Sequence, residues 1–267
     1  MITTRKPAVA GTFYPGFKQS LSRQIGSFEV KGQPKQRCIG VISPHAGYVY
    51  SGAVAGELYS KIEIPPSVII LAPNHRGPFV RFALSPADNW QTPLGDVAID
   101  ADLAGAIRKA FPTLELDAAP HVYEHSAEVQ VPFLQHFRPD VKIVPIVIAE
   151  HELEPLVEFG EALAECVRGG DALIVASSDM THFENAASAE RRDKMALDKV
   201  LAIDPEGLHQ TVHANDITMC GVSPAVAMLT AARALGAKTA ELVRYANSGD
   251  FSGDYDSVVG YAAVRVF

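Results

Sequence analysis

Ile39-Gly40-Val41-Ile42-Ser43-Pro44-His45 drives an apolar run into a short polar turn that carries a histidine. Two further stretches repeat the pattern: Val68-Ile69-Ile70-Leu71-Ala72-Pro73-Asn74-His75 and Leu173-Ile174-Val175-Ala176-Ser177-Ser178-Asp179-Met180-Thr181-His182. Continuous β-branched runs bounded by Pro, Ser and Asn read as strands covered on both faces, as in parallel or mixed sheets. Such sheets bind ligands outside the carboxyl ends of their strands. Three histidines delivered to one edge therefore predict a site, and imidazole chemistry makes it a metal site.

Working outward, the segments between these strands alternate in the same way. A helix is expected from Ser51, read as its cap, to about Lys61, and another from Asp100 to Phe111, stopped by Pro112. Ser126 to Phe137 shows a helical apolar stripe interrupted by Pro132. A strand over 142–149, helices over 152–167, 187–201 and 205–214, a helix opened by Ser223-Pro224 and closed by Gly236, and two strands over 239–246 and 257–266 complete the chain. The expectation is one α/β domain over residues 1–267, with a central mixed or parallel sheet flanked by helices.

Composition narrows the function classes. The 267 residues are 48% hydrophobic and carry a formal charge of −8 with no basic cluster, so nucleic acid is not the expected partner. No run of about 18 apolar residues is present, so no membrane span is expected. The opening Met1-Ile2-Thr3-Thr4-Arg5-Lys6 has no apolar segment behind it and does not read as a signal peptide. Three cysteines, odd in number and widely spaced, do not form a secreted disulfide framework; a cytoplasmic location is expected.

His45 and His75, each in a turn with small neighbours, read as metal ligands. Cys220, in Thr218-Met219-Cys220-Gly221-Val222-Ser223-Pro224, is the candidate third ligand, where a helix dipole would favour a thiolate; it reads equally as a small core residue. Cys38 and Cys166 read as core residues. In Tyr123-Glu124-His125-Ser126-Ala127-Glu128, His125 and Glu128 are three apart and would share a helical face, as a general acid–base pair, as partners of a metal ligand, or simply as part of a capped helix start. Asp179 and His182 form another carboxylate–imidazole pair. His121, His136, His151, His209 and His213 read as surface residues.

Taken in order, Ala10-Gly11-Thr12-Phe13-Tyr14-Pro15, Pro44-His45-Ala46-Gly47-Tyr48, Pro73-Asn74-His75, Glu124-His125-Ser126-Ala127-Glu128, Ser177-Ser178-Asp179-Met180-Thr181-His182 and Cys220-Gly221 resemble the Memo family, whose prokaryotic members are called AmmeMemoRadiSam system protein B. The resemblance implies a fold similar to the LigB-type extradiol dioxygenases, which are non-haem iron enzymes. It maps their iron pocket onto His45 and His75, with Cys220 near the place of their carboxylate ligand. A thiolate donates more charge than a carboxylate, is itself oxidisable and suits Cu(I). The resemblance also implies iron or copper as cofactor ahead of zinc, and association with a radical SAM pathway protein.

Two readings follow. In one, His45, His75 and Cys220 hold iron or copper in a metal-dependent oxidoreductase, and His125, Glu128, Asp179 and His182 move protons or orient substrate. In the other, a non-enzymatic module uses the pocket to bind a small molecule or peptide. Hydrolysis at zinc, with His125 or Glu128 as base, is a weaker third because nothing in the sequence identifies a scissile bond.

Overall fold

A computed structural model of the chain describes residues 3–77 and 80–267; Met1 and Ile2 of the opening stretch lie outside them. The first half runs β1 (Thr4–Arg5), α1 (Lys18–Phe28), β2 (Gly40–Ser43), α2 (Tyr48–Ser60), β3 (Ser67–Pro73), β4 (Phe82–Leu84), β5 (Asn89–Thr92), β6 (Gly95–Ala98) and α3 (Ala101–Ala110). Next come β7 (Glu115–Leu116), α4 (Ala119–Val122), a 3-10 turn over Glu128–Gln130, α5 (Val131–Phe137), β8 (Lys142–Ile148), α6 (Leu153–Val167) and β9 (Ala172–Ser177). The chain continues through β10 (His182–Glu184), α7 (Ala186–Leu201), α8 (Pro205–Ala214), α9 (Val222–Ala234), β11 (Ala240–Asn247), α10 (Gly249–Ser252) and β12 (Val258–Val266).

The main sheet follows the order β10-β12-β2-β9-β3-β8-β4-β7, with β11 also paired to β12. β2, β9, β3 and β8 are parallel, and antiparallel β12 and β4 flank them, so the sheet is mixed. The apolar runs stay continuous because both faces are covered. Along each strand alternate residues face opposite layers. Val41, Val68, Ile70 and Val175 pack with Leu58 and Tyr59 of α2 and Phe133 of α5. Ile42, Ile69, Leu71 and Ile174 join the other core, with Phe159 and Leu163 of α6 and Met228 of α9.

A small sheet, β1-β5-β6, stands apart and bears on the site. β1 brings Arg5 beside Trp90, its guanidinium 4.2 Å from the ring centroid. From there Arg5 pairs with the Glu128 carboxylate and donates to the carbonyls of His121 and Glu124, both at 2.8 Å.

Several local expectations need correction. Ser51 lies within the first turn of α2, its hydroxyl donating back to the Ala46 carbonyl, and Gly47 is the N-cap. Ser223 likewise lies inside α9, which Gly221 caps. Pro132 does not interrupt a helix over 126–137; it sits in the first turn of α5, where a missing N–H costs nothing. His182 opens the short strand β10 instead of ending β9. His121 is not a surface residue: it is buried, with Nε2 3.1 Å from the Ala83 carbonyl.

Two tests follow from the packing. A Cβ on Gly160 would lie 2.6 Å from the Ala227 carbonyl oxygen, where α6 meets α9. Gly160→Ala should therefore destabilise by about 1–3 kcal/mol. Gly105→Ala, at an open position on the exposed face of α3, should stabilise by about 0.5–1 kcal/mol. Denaturant midpoints at constant slope check both. The second test concerns His121, whose pKa is pushed down to about 4, first by burial and then by the Arg5 cation. The native state thus resists a proton that the unfolded chain accepts near 6.5. Stability from this residue is full above pH 6.5 and declines as pH falls toward 4, by about 3 kcal/mol in all. Replacing it by His121→Gln should remove about one proton from the slope of stability against pH between those limits; an unchanged slope contradicts the assignment.

Candidate metal centre

Strand register builds the site. Ser43 at the end of β2 pairs with Ser177 at the end of β9, and β3 runs alongside both through β9. Pro44-His45 and Asn74-His75 therefore leave the sheet at one edge, beside Ser178-Asp179. The third imidazole does not come from a strand. His125 arrives on the loop after α4, tethered from beneath by Arg5 through the Glu124 carbonyl. One ligand nitrogen from each of His45, His75 and His125 lies within 4.8 Å of the others, close enough to hold a metal ion. The ring centroids are 5.3 Å apart for His45–His75, 5.4 Å for His45–His125 and 4.8 Å for His75–His125.

Hydrogen bonds fix which nitrogens are free. The Ser177 hydroxyl donates to the Ser126 carbonyl at 2.7 Å and accepts from Gln130 Nε2 at 2.8 Å. Its only hydrogen is thereby used, so it accepts from His45 Nδ1 at 2.9 Å, and His45 keeps a lone pair on Nε2. That Nε2 lies 3.2 Å from Cys220 Sγ. His75 Nδ1 lies 3.0 Å from Glu124 Oε1, and a carboxylate only accepts, so the His75 lone pair is also on Nε2. His125 Nδ1 stands 3.2 Å from the same oxygen but off the hydrogen-bond line, leaving a buried ring nitrogen without an aligned partner. Buried polar atoms are seldom left so.

Glu124 organises the group. Oε1 accepts from the amides of His125 and Ser126, both at 2.9 Å, from the Ser126 hydroxyl at 2.8 Å and from His75; Oε2 accepts from the His75 amide at 2.7 Å. Burial alone would raise its pKa, but these donors and the two imidazoles more than offset it and hold the carboxyl well below the ordinary range. His45 is held well below the histidine range, first by burial and then by His125 and His75, so it is a neutral donor.

Around this core the sequence candidates fall into two sets. Cys220 and Asp179 are at the site: Asp179 Oδ1 accepts from the His45 amide at 2.7 Å, and the Asp179 amide points to Cys220 Sγ at 3.3 Å. Gly221 makes that approach feasible, since a Cβ there would lie 2.3 Å from the Ser177 carbonyl oxygen. Burial, then the charge of Asp179, pushes the Cys220 thiol up, opposite to the expectation of a thiolate at a helix start, so without a metal the thiol keeps its proton. His182 is outside the triad, with Nδ1 3.0 Å from the Thr218 carbonyl.

Glu128 belongs to a different structure. Its carboxylate binds Arg5, the amides of Ala8 and Val9, and the Tyr14 hydroxyl at 2.6 Å. No oxygen remains to act as a base; it ties down the N-terminal segment, whose Phe13 ring packs 4.7 Å from His125. Glu124, Ser177 and Gln130 were missed by residue-type reasoning. The one available signal was a glutamate adjoining a histidine in Glu124-His125.

No helix among the described residues is long and apolar enough to cross a membrane. Comparison with solved structures finds an uncharacterized protein from Escherichia coli K12, with TM-score 0.57 and 15% identity, covering 86% of this chain and 100% of that one; this likeness is one of fold alone. A MEMO1 family protein of Aquifex aeolicus is 44% identical over 261 residues, 96% of this chain and 97% of the relative. Another, from Methanosarcina mazei, is 41% identical over 98% of each chain. The family described as Memo-like protein matches residues 5–265, and with these relatives it shows that the chain belongs to the Memo family.

Proposed function

We propose that this chain, as one Memo-like domain over residues 1–267, binds a redox-active metal through His45, His75 and His125, with Cys220 as a further ligand, and uses it to oxidise a small molecule with dioxygen as the electron acceptor. The observation that carries the reading is the convergence of three imidazole nitrogens within 4.8 Å, with His45 and His75 each fixed in one tautomer by a neighbouring oxygen. Iron or copper fits a nitrogen-rich set with one thiol better than a hard, oxygen-preferring cation does. When bound, such an ion supplies electron transfer and polarises a coordinated substrate.

The chain's own groups do the rest. Glu124 keeps His75 oriented and sets a fixed negative charge beneath the imidazoles. The Cys220 thiol would have to give up its proton to act as a ligand, and the His45 backbone amide holds Asp179 against the same turn. His182 carries its free Nε2 at the edge of the site, where it can exchange a proton with substrate. A cytoplasmic location and a radical SAM partner belong to this reading; the latter rests on the family resemblance.

One observation favours a second reading, a dioxygenase-like pocket reused as a ligand- or peptide-binding module. Glu124 is engaged by the histidines and backbone, so the two-histidine, one-carboxylate set typical of non-haem iron oxygenases is not formed among the described residues. Steady metal-dependent turnover of any small-molecule substrate would exclude it.

Elemental analysis of anaerobically purified protein is the direct test. About one equivalent of iron or copper is expected, lost in His45→Ala, His75→Ala and His125→Ala. Cys220→Ser should retain the ion more weakly. A metal-free wild type with its fold intact would overturn the proposal. Glu124→Gln should weaken affinity by about 10- to 100-fold, as loss of a ligand's hydrogen-bond partner does. Competition with a chromophoric chelator reads that change.

A further inference from the structure

A second group of histidines lies outside the centre just described. His209 and His213 are one turn apart on α8, with ring centroids 4.3 Å apart. His209 Nε2 lies 2.7 Å from the His151 carbonyl, which can only accept, so Nε2 carries the proton and the lone pair is on Nδ1. The same contact brings the loop after β8, and with it His151, to α8. His213 is exposed and held below the ordinary histidine range, first by partial burial and then by His209 and His151, so it is unprotonated at neutral pH. Two imidazoles four residues apart on one helix are a recurrent chelating pair for borderline divalent metals.

Surface histidines one turn apart can also be neighbours without purpose. The cavity beside them argues otherwise. A pocket of about 450 Å³ is lined by His151, His213, Asp216, Thr218 and Cys220. Thr218 also offers the carbonyl that accepts from His182. The pocket therefore has imidazole residues and Cys220, the cysteine beside the inner centre, in one lining.

We propose that His209 and His213, with His151 beside them, form an outer site for a divalent transition-metal ion, which captures the ion and passes it through this pocket to Cys220. The capture role rests on the reading of the inner centre as a metal site; the existence of the outer site does not. The gradient of donors suits such a passage, because two imidazoles at the surface of α8, one exposed and one half-buried, bind more weakly than three imidazoles and a thiolate. Asp216 adds a negative charge on the route.

The test uses tag-free, full-length, metal-free protein titrated with Ni(II) by calorimetry. Two classes of site are expected. The tighter should vanish in His45→Ala. The weaker should lose at least about tenfold in affinity in His213→Gln, an exposed replacement that leaves the core untouched, and in His209→Gln/His213→Gln. Far-UV circular dichroism checks that the fold is kept. Stopped-flow recording of the nickel–thiolate band should show several-fold slower loading of the inner centre in the double variant at limiting metal. An unchanged weaker class in the double variant overturns the outer site. Loss of that class with unchanged loading overturns the capture role. A wild type with only the weaker class would leave the outer site standing and remove the inner one.

Discussion

One buried negative charge organises the triad. Glu124 sits between His75 and His125, receives their backbone amides and the Ser126 hydroxyl, and cannot be neutralised without exposing those donors. Placing a carboxylate inside a protein is costly unless it is fully hydrogen-bonded, and here every donor comes from residues that also shape the site. The same arrangement orients an imidazole and compensates the positive charge that a cation would bring. Structural satisfaction and ligand orientation are thus one requirement, met by a single side chain.

That carboxylate holds its place only because the loop carrying it is anchored from the other side. Arg5 reaches from the small sheet to the Glu124 carbonyl, stacks on Trp90 and pairs with Glu128, which fastens Ala8, Val9 and Tyr14. The N-terminal segment is therefore part of the centre's foundation, although none of its described residues offers a ligand to the triad. The strand edge supplies the opposite wall, with Ser177 and Asp179 gripping His45 from the ring and from the backbone.

Much of this was legible in the sequence, and the failures have a common cause. Continuous apolar runs identified the covered strands, because burial on both faces removes the polar alternation of a half-exposed sheet. His45 and His75 followed from strand ends, since a parallel register aligns those ends in space. Cys220 was placed by its turn residues, and the fold brings it to His45 across 175 positions. What the sequence hid were partnerships across the chain. His182 follows the third strand as plausibly as His75 follows the second, yet five residues beyond Ser177 carry it into β10 and away from the triad. Glu128 looks like a catalytic neighbour of His125 until Arg5, more than a hundred residues upstream, claims it. His121 looks superficial because its burial is made by Trp90 and Arg5, from another sheet. Hydrogen-bond partners at long sequence separation leave no local periodicity to read.

Gly221 has one more consequence. Because the residue after Cys220 can touch the Ser177 carbonyl without a side chain, the last donor is supplied from the base of α9, whereas the others come from the sheet edge and the α4 loop. An ion bridging them would staple the helix layer to the sheet as a disulfide would, but reversibly. It would close chain loops that span most of the molecule and resist their separation for as long as it stayed bound. On that account apo and loaded chains would be two proteins of different durability, and metal supply would set how long each copy survives proteolysis and heat.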